Sequence, residues 1–93
     1  MNHWEVDLKD EHPFHTDFEN LVDDSQEYVK DSIREIVKYK NLSDYEYTVS
    51  CPSIPVGIAL LRFPNGCEVI IEIEHNKLYY LRAYDDIDEA LNS

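Results

Sequence analysis

The sequence predicts an α+β domain. One long amphipathic helix packs on a three- to five-stranded, mainly antiparallel meander, and a short helix follows at the C-terminus, in the order (β)-α-β-β-β-β-α. Three observations predict it. Between Thr16 and Lys40 the apolar residues Phe18, Leu21, Val22, Val29, Ile33, Ile36 and Val37 recur at three- and four-residue steps, the period of a helix with one buried face. From Val56 to Tyr84 apolar runs are separated by Pro64-Asn65-Gly66 and His75-Asn76, the composition of tight hairpin turns. With 93 residues, 43% of them hydrophobic, the chain suits one domain over residues 1–93 with a modest core.

Each element has its own signal. Trp4-Glu-Val6-Asp-Leu8 alternates apolar and polar residues and reads as a short strand, on a sheet edge. Thr16 and Glu19 have the spacing of a capping box, which places the helix start there, while Asp23-Asp24-Ser25 is a weak helix former that favours a bend. Tyr45, Tyr47 and Val49 alternate, and Pro52 and Pro55 follow closely, so a strand is expected there. Asn65-Gly66 as a two-residue hairpin tip sets Leu60 opposite Ile71 and Arg62 opposite Val69. His75-Asn76 sets Ile73 opposite Leu78, Ile71 opposite Tyr80 and Val69 opposite Arg82. The face under the helix is then Val56, Ile58, Leu60, Val69, Ile71, Ile73, Leu78 and Tyr80. Leu61, Phe63, Ile70, Tyr79 and Leu81 fall on the outer face, where an apolar row in water marks an interface. Asp85 or Asp86 is expected to cap the last helix.

The formal net charge of −12 is unevenly placed. Residues 1–31 carry ten acids against Lys9 and Lys30, residues 32–82 balance six acids with six bases, and residues 83–93 add four acids. Such a field repels nucleic acid and anionic membrane and favours a basic protein partner. On the long helix Glu19, Asp23, Glu27, Asp31 and Glu35 recur every fourth residue. Like charges at that spacing cost a few tenths of a kcal/mol per pair, so the ridge does not exist to help the helix form.

The composition removes several chemistries. There is no glycine-rich phosphate loop, no apolar run long enough to span a bilayer, and no basic, apolar leader at the start. Cys51 and Cys67 match no zinc spacing and are too few for a disulfide framework, so a cytoplasmic setting with reduced thiols is expected. His12, His15 and Asp17 are the one conceivable metal group, weakened by Pro13 between them. Glu68 beside Cys67 raises rather than lowers that thiol's pKa, against a nucleophilic role. No enzyme activity, cofactor or metal is therefore expected.

The expectation drawn from these features is a small acidic inhibitor that occupies a basic, nucleic-acid-binding surface of a partner, as an immunity protein or a phage-type DNA mimic does. Its contacts would be Glu19, Asp23, Glu27, Asp31 and the border residue Tyr28, with charge setting encounter and aromatic anchors setting affinity. An alternative is a self-associating assembly protein, a homodimer joined through Leu61, Phe63, Ile70, Tyr79 and Leu81. A third is a small metal protein or enzyme built on His12 and His15.

Overall fold

The structure is a computed structural model that describes residues 2–8 and 12–85. Strand β1 (Glu5–Asp7) leads into helices α1 (Phe14–Asn20) and α2 (Asp23–Glu35), two 3-10 turns at Ile36–Lys38 and Leu42–Asp44, and strands β2 (Ile58–Arg62), β3 (Glu68–Glu74) and β4 (Lys77–Tyr84). The four strands form one mixed sheet in the order β1-β4-β3-β2, with β1 parallel to β4 and the other pairs antiparallel. The expected single long helix on an antiparallel meander is thus corrected to two helices on a mixed sheet. The helix expected near the C-terminus lies in residues 86–93, outside the described residues.

The helix divides at Leu21 and Val22, both extended, with ψ of 149° and 160°. The division comes before the expected bend because Asp23 and Asp24 start a helix rather than interrupt one: both occupy the first turn of α2, where the dipole favours carboxylates. Leu21 stays 7% exposed whereas Val22 is 57% exposed, so the period drawn across the break counted a residue that faces water. Helix α1 starts two residues before Thr16, and the expected capping box does not form: the N-cap residue is Pro13 and no side chain caps it. The buried stripe of α2 carries two serines, Ser25 and Ser32, beside Val29.

Strand β2 is where the register differs most. Leu60 lies opposite Ile70 and Arg62 opposite Glu68, one residue away from the expected pairing. Pro64 is the cause. Gly66 N–H donates to the Phe63 carbonyl and Phe63 N–H to the Cys67 carbonyl, so Pro64 and Asn65 occupy the centre of a turn followed by Gly66 at φ 92°. Proline's fixed φ suits the first central position of a type I turn, and a three-residue loop of this kind ends in a left-handed glycine. A one-residue slip turns every side chain of a strand over. Ala59, Leu61 and Phe63 therefore enter the core at 6%, 0% and 2% exposure, while Val56 is fully exposed.

Between β3 and β4 the expected pairs Ile73–Leu78 and Ile71–Tyr80 are present. Beyond them a bulge leaves Leu81 unpaired, so Val69 meets Ala83 instead of Arg82. The strand expected around Tyr45–Val49 shrinks to a bridge between Thr48 and Leu61, backed by hydrogen bonds from Val49 N–H to Leu60 O and Arg62 N–H to Tyr47 O. It shields the β2 edge without becoming a full strand.

A carboxylate on α1 and another just after β4 join the layers. Strand β1 is three residues long, so β4 beyond Tyr79 lacks a strand partner on that side. Asp17 of α1 fills the gap, accepting hydrogen bonds from Ala83 N–H (3.1 Å) and the Arg82 guanidinium (2.6 Å). Asp85 accepts from Ser25 Oγ at 2.6 Å and from Val22 N–H at 3.2 Å, closing the N-terminus of α2. Asn65 reaches the same serine at 2.8 Å, so turn, helix end and strand end share one polar node.

Candidate functional site

Three residues of α2, Tyr28, Asp31 and Glu35, follow at three- and four-residue steps and so lie on one face of the helix. The chain then turns through Ile36–Lys38 and Leu42–Asp44, which brings Tyr39, Tyr45, Glu46 and Tyr47 back against that face. Together the seven side chains line a hollow of about 390 Å³. A neighbouring hollow of about 350 Å³ shares Tyr28 and Asp31 and adds Asp24, Glu27 and Asn65.

The aromatic rings form a connected wall. Tyr28 stacks on Phe63 with centroids 5.3 Å apart and planes 14° apart, and meets Tyr47 edge-on at 6.1 Å. Tyr45 stands perpendicular to Tyr47 at 5.5 Å and tilted to Tyr39 at 5.5 Å. Such edge-to-face pairs suit the ring quadrupoles and fix the rings relative to one another. Trp4 extends the support, its indole N–H donating to the Tyr39 carbonyl at 2.8 Å.

The field in the hollow is negative. The Tyr47 hydroxyl is held above its usual pKa by partial burial first, then by Glu46, Tyr28 and Asp31. The Tyr45 hydroxyl is pushed up further, mainly by burial, with Tyr80, Tyr47, Glu46 and Asp31 adding to the effect. Both hydroxyls stay neutral donors around pH 7.

The expected contact residues separate. Glu19 is exposed but belongs to α1, so the break removes it from the row continued by Asp23, Glu27 and Asp31 on α2. Glu27 pairs with Lys30 at 3.6 Å, Asp31 with Arg34, and Glu35 with Lys38 at 3.2 Å, each cation three residues further along. The ridge is therefore a zipper of surface ion pairs rather than a bare row of charge. Tyr28 is half-buried between the two hollows. Tyr39, Tyr45, Glu46 and Tyr47 were absent from the expected contacts, because the strand expected at Tyr45–Val49 carried no signal that it returns to the helix.

The outer sheet face is not an exposed apolar row. Leu61 and Phe63 are core residues, Tyr79 is 8% exposed, and Ile70 and Leu81 are half-buried. Among the metal candidates, Asp17 is engaged by Arg82, His15 Nε2 lies 3.1 Å from the Leu8 carbonyl, and the His12 ring lies 6.4 Å from that of Tyr79. No three metal-binding side chains converge among the described residues. Cys67 is fully buried and its thiol is pushed up to about 11, by burial first and by Asp85 and Glu68 in smaller part. No helix among the described residues is long and apolar enough to cross a membrane.

No family model and no curated protein matches the chain. Solved structures share its fold, among them the following two. One is a chain of the RelB–RelE antitoxin–toxin complex from Methanococcus jannaschii, with a TM-score of 0.67 and 13% identity over 91% of this chain and 95% of that one. The other is the conserved hypothetical protein HP0894 from Helicobacter pylori, with a TM-score of 0.57 and 14% identity over 88% of this chain and 93% of that one. This likeness overturns the expectation of an immunity protein, a phage decoy or a DNA-mimic inhibitor, which rested on size and charge alone.

Proposed function

We propose that this protein is a protein-binding component of a toxin–antitoxin-type pair and engages a basic segment of its partner through the α2 surface around Tyr28 and Asp31. The observation that carries the reading is the fold, shared over nearly the whole of both chains with a member of a RelB–RelE antitoxin–toxin complex. The charge supplies the partner's chemistry. Lys30, Arg34, Lys38, Arg62 and Arg82 are each paired with a carboxylate, which leaves few cations to hold an RNA backbone. A basic protein segment meets complementary charge at the rim and aromatic area beneath it, the combination that gives steering and anchoring. The reading has no catalytic step.

The test is reconstitution with a partner recovered by co-purification and then purified. Association is expected to weaken at least about tenfold between 50 and 500 mM salt, and by a similar factor when Glu27, Asp31 and Glu35 become their amides. An acidic partner, or affinity indifferent to both changes, would overturn the reading. Incubation of the purified chain with RNA is expected to leave the RNA intact, and specific cleavage would show that the fold is used catalytically here.

A further inference from the structure

We propose that the hollow between α2 and the Tyr45–Tyr47 turn is a receptor for one arginine side chain of the partner. The proposal deepens the protein-binding reading and rests on it. The walls are aromatic and the rim is anionic, and the two features select the same chemistry. Tyr28 spends one face on Phe63, and Tyr47 stands nearly perpendicular to both Tyr28 and Tyr45, so the rings form a corner rather than a flat stack. A planar cation fits such a corner with its face on one ring and its edge toward another.

Three carboxylates line the same hollow. Asp31 and Glu35 are one helical turn apart on α2, and Glu46 comes from the returning chain. Asp31 and Glu35 are paired with Arg34 and Lys38. Glu46 takes part in no ion pair among the described residues, so the hollow keeps one uncompensated charge. A guanidinium presents donors in a fixed fork that two carboxylates can share, which an ammonium cannot match. A hard metal ion is a poorer fit, since it needs several oxygens on one point and no three metal-binding side chains converge among the described residues.

The probe is the peptide acetyl-Gly-Arg-Gly-amide, titrated into the full chain and followed by NMR. Shifts are expected to concentrate on Tyr28, Tyr39, Tyr45, Glu46 and Tyr47, with millimolar affinity. Replacing arginine by citrulline is expected to weaken binding at least about tenfold, and lysine about threefold. Glu46→Gln, at an exposed position that does not endanger folding, is expected to weaken it about three- to fivefold. Tyr47→Leu removes the ring face and is expected to weaken it by a similar factor.

Equal shifts with citrulline, or shifts spread over Asp23, Asp24 and Glu27 and unaffected by Glu46→Gln, would overturn the proposal. So would spermidine binding the same residues more tightly than the arginine peptide. The two readings can fail separately. A salt-sensitive partner complex that survives Glu46→Gln and Tyr47→Leu undiminished removes the arginine receptor but keeps the protein-binding role. Loss of the complex in the amide variants, with no peptide shift, removes the receptor alone.

Discussion

Ser25 and Ser32 sit on the stripe of α2 that the core covers, 1% and 0% exposed, and each hydroxyl is satisfied. Ser32 donates to the Val29 carbonyl at 2.6 Å and shares a hydrogen bond of 2.9 Å with the Tyr80 hydroxyl, and Ser25 joins Asp85 and Asn65. Buried polar atoms are tolerated on these terms. The same burial governs the titrating groups. Cys67 is raised from 9.0 to about 11, and Tyr45 and Tyr80 are raised above 10.0, all three mainly by burial. The folded chain keeps protons that the unfolded chain has already released, so the unfolded state binds fewer and stability falls as pH rises. The contribution is complete below pH 9 and is lost from there through pH 11 and above. The urea midpoint is expected to decline steadily from pH 8.5 to 10.5, and a flat midpoint would count against the buried thiol and phenols. The two thiols also differ in access. Cys51 is exposed and its pKa is lowered by Ser53, so a thiol reagent is expected to label one cysteine at once and Cys67 only on unfolding.

Elements here are finished by residues far away in sequence. Helix α2 has Val22 at its N-cap position and no side-chain cap of its own, and Asp85, 63 positions later, closes the end by accepting from Val22 N–H and Ser25 Oγ. Asp85→Ala is expected to cost about 1–2 kcal/mol in urea unfolding, the range for a lost cap with its dipole interaction. Asp85→Asn keeps an acceptor and gives up the charge, so its cost is expected to be about half as large. Equal stability of all three proteins would mean that water closes the helix end as well. The local signals in Asp23-Asp24-Ser25 were readable from sequence, but their sense was ambiguous. A run of poor helix formers either bends a helix or starts one, and only the extended Leu21 and Val22 decide between them. Asp85 illustrates the converse. It was legible as a capping residue, yet the end it closes in the structure belongs to α2.

At the scale of the molecule, the identity of the core turns on one proline. The register set by Pro64 places Leu61 at 0% exposure and leaves Leu60 half-buried, the reverse of what an Asn-Gly tip implies. Leu61→Ala is expected to cost about 3 kcal/mol, as for a buried leucine whose cavity only partly relaxes, and Leu60→Ala about 1 kcal/mol. A larger loss at Leu60 than at Leu61 would restore the alternative register. The slip also explains why the supposed outer interface disappears: Leu61 and Phe63 cannot be both core and docking surface. Phe63 instead backs Tyr28, so register and the candidate site meet at that ring.

The sequence alone determined the α+β class, the two hairpins, the pairs around Ile71 and Ile73, and the charge. These follow from periodicity and composition, which act between neighbours. Tertiary structure alone decided that the helix is two, that β1 joins β4 in parallel, and that Tyr39, Tyr45, Glu46 and Tyr47 face α2. Each of those depends on where a distant segment arrives, and a local pattern carries no information about that. Burial against the sheet, together with the few carboxylates and serines that close the exposed ends, selects one arrangement from the several that the same pattern permits.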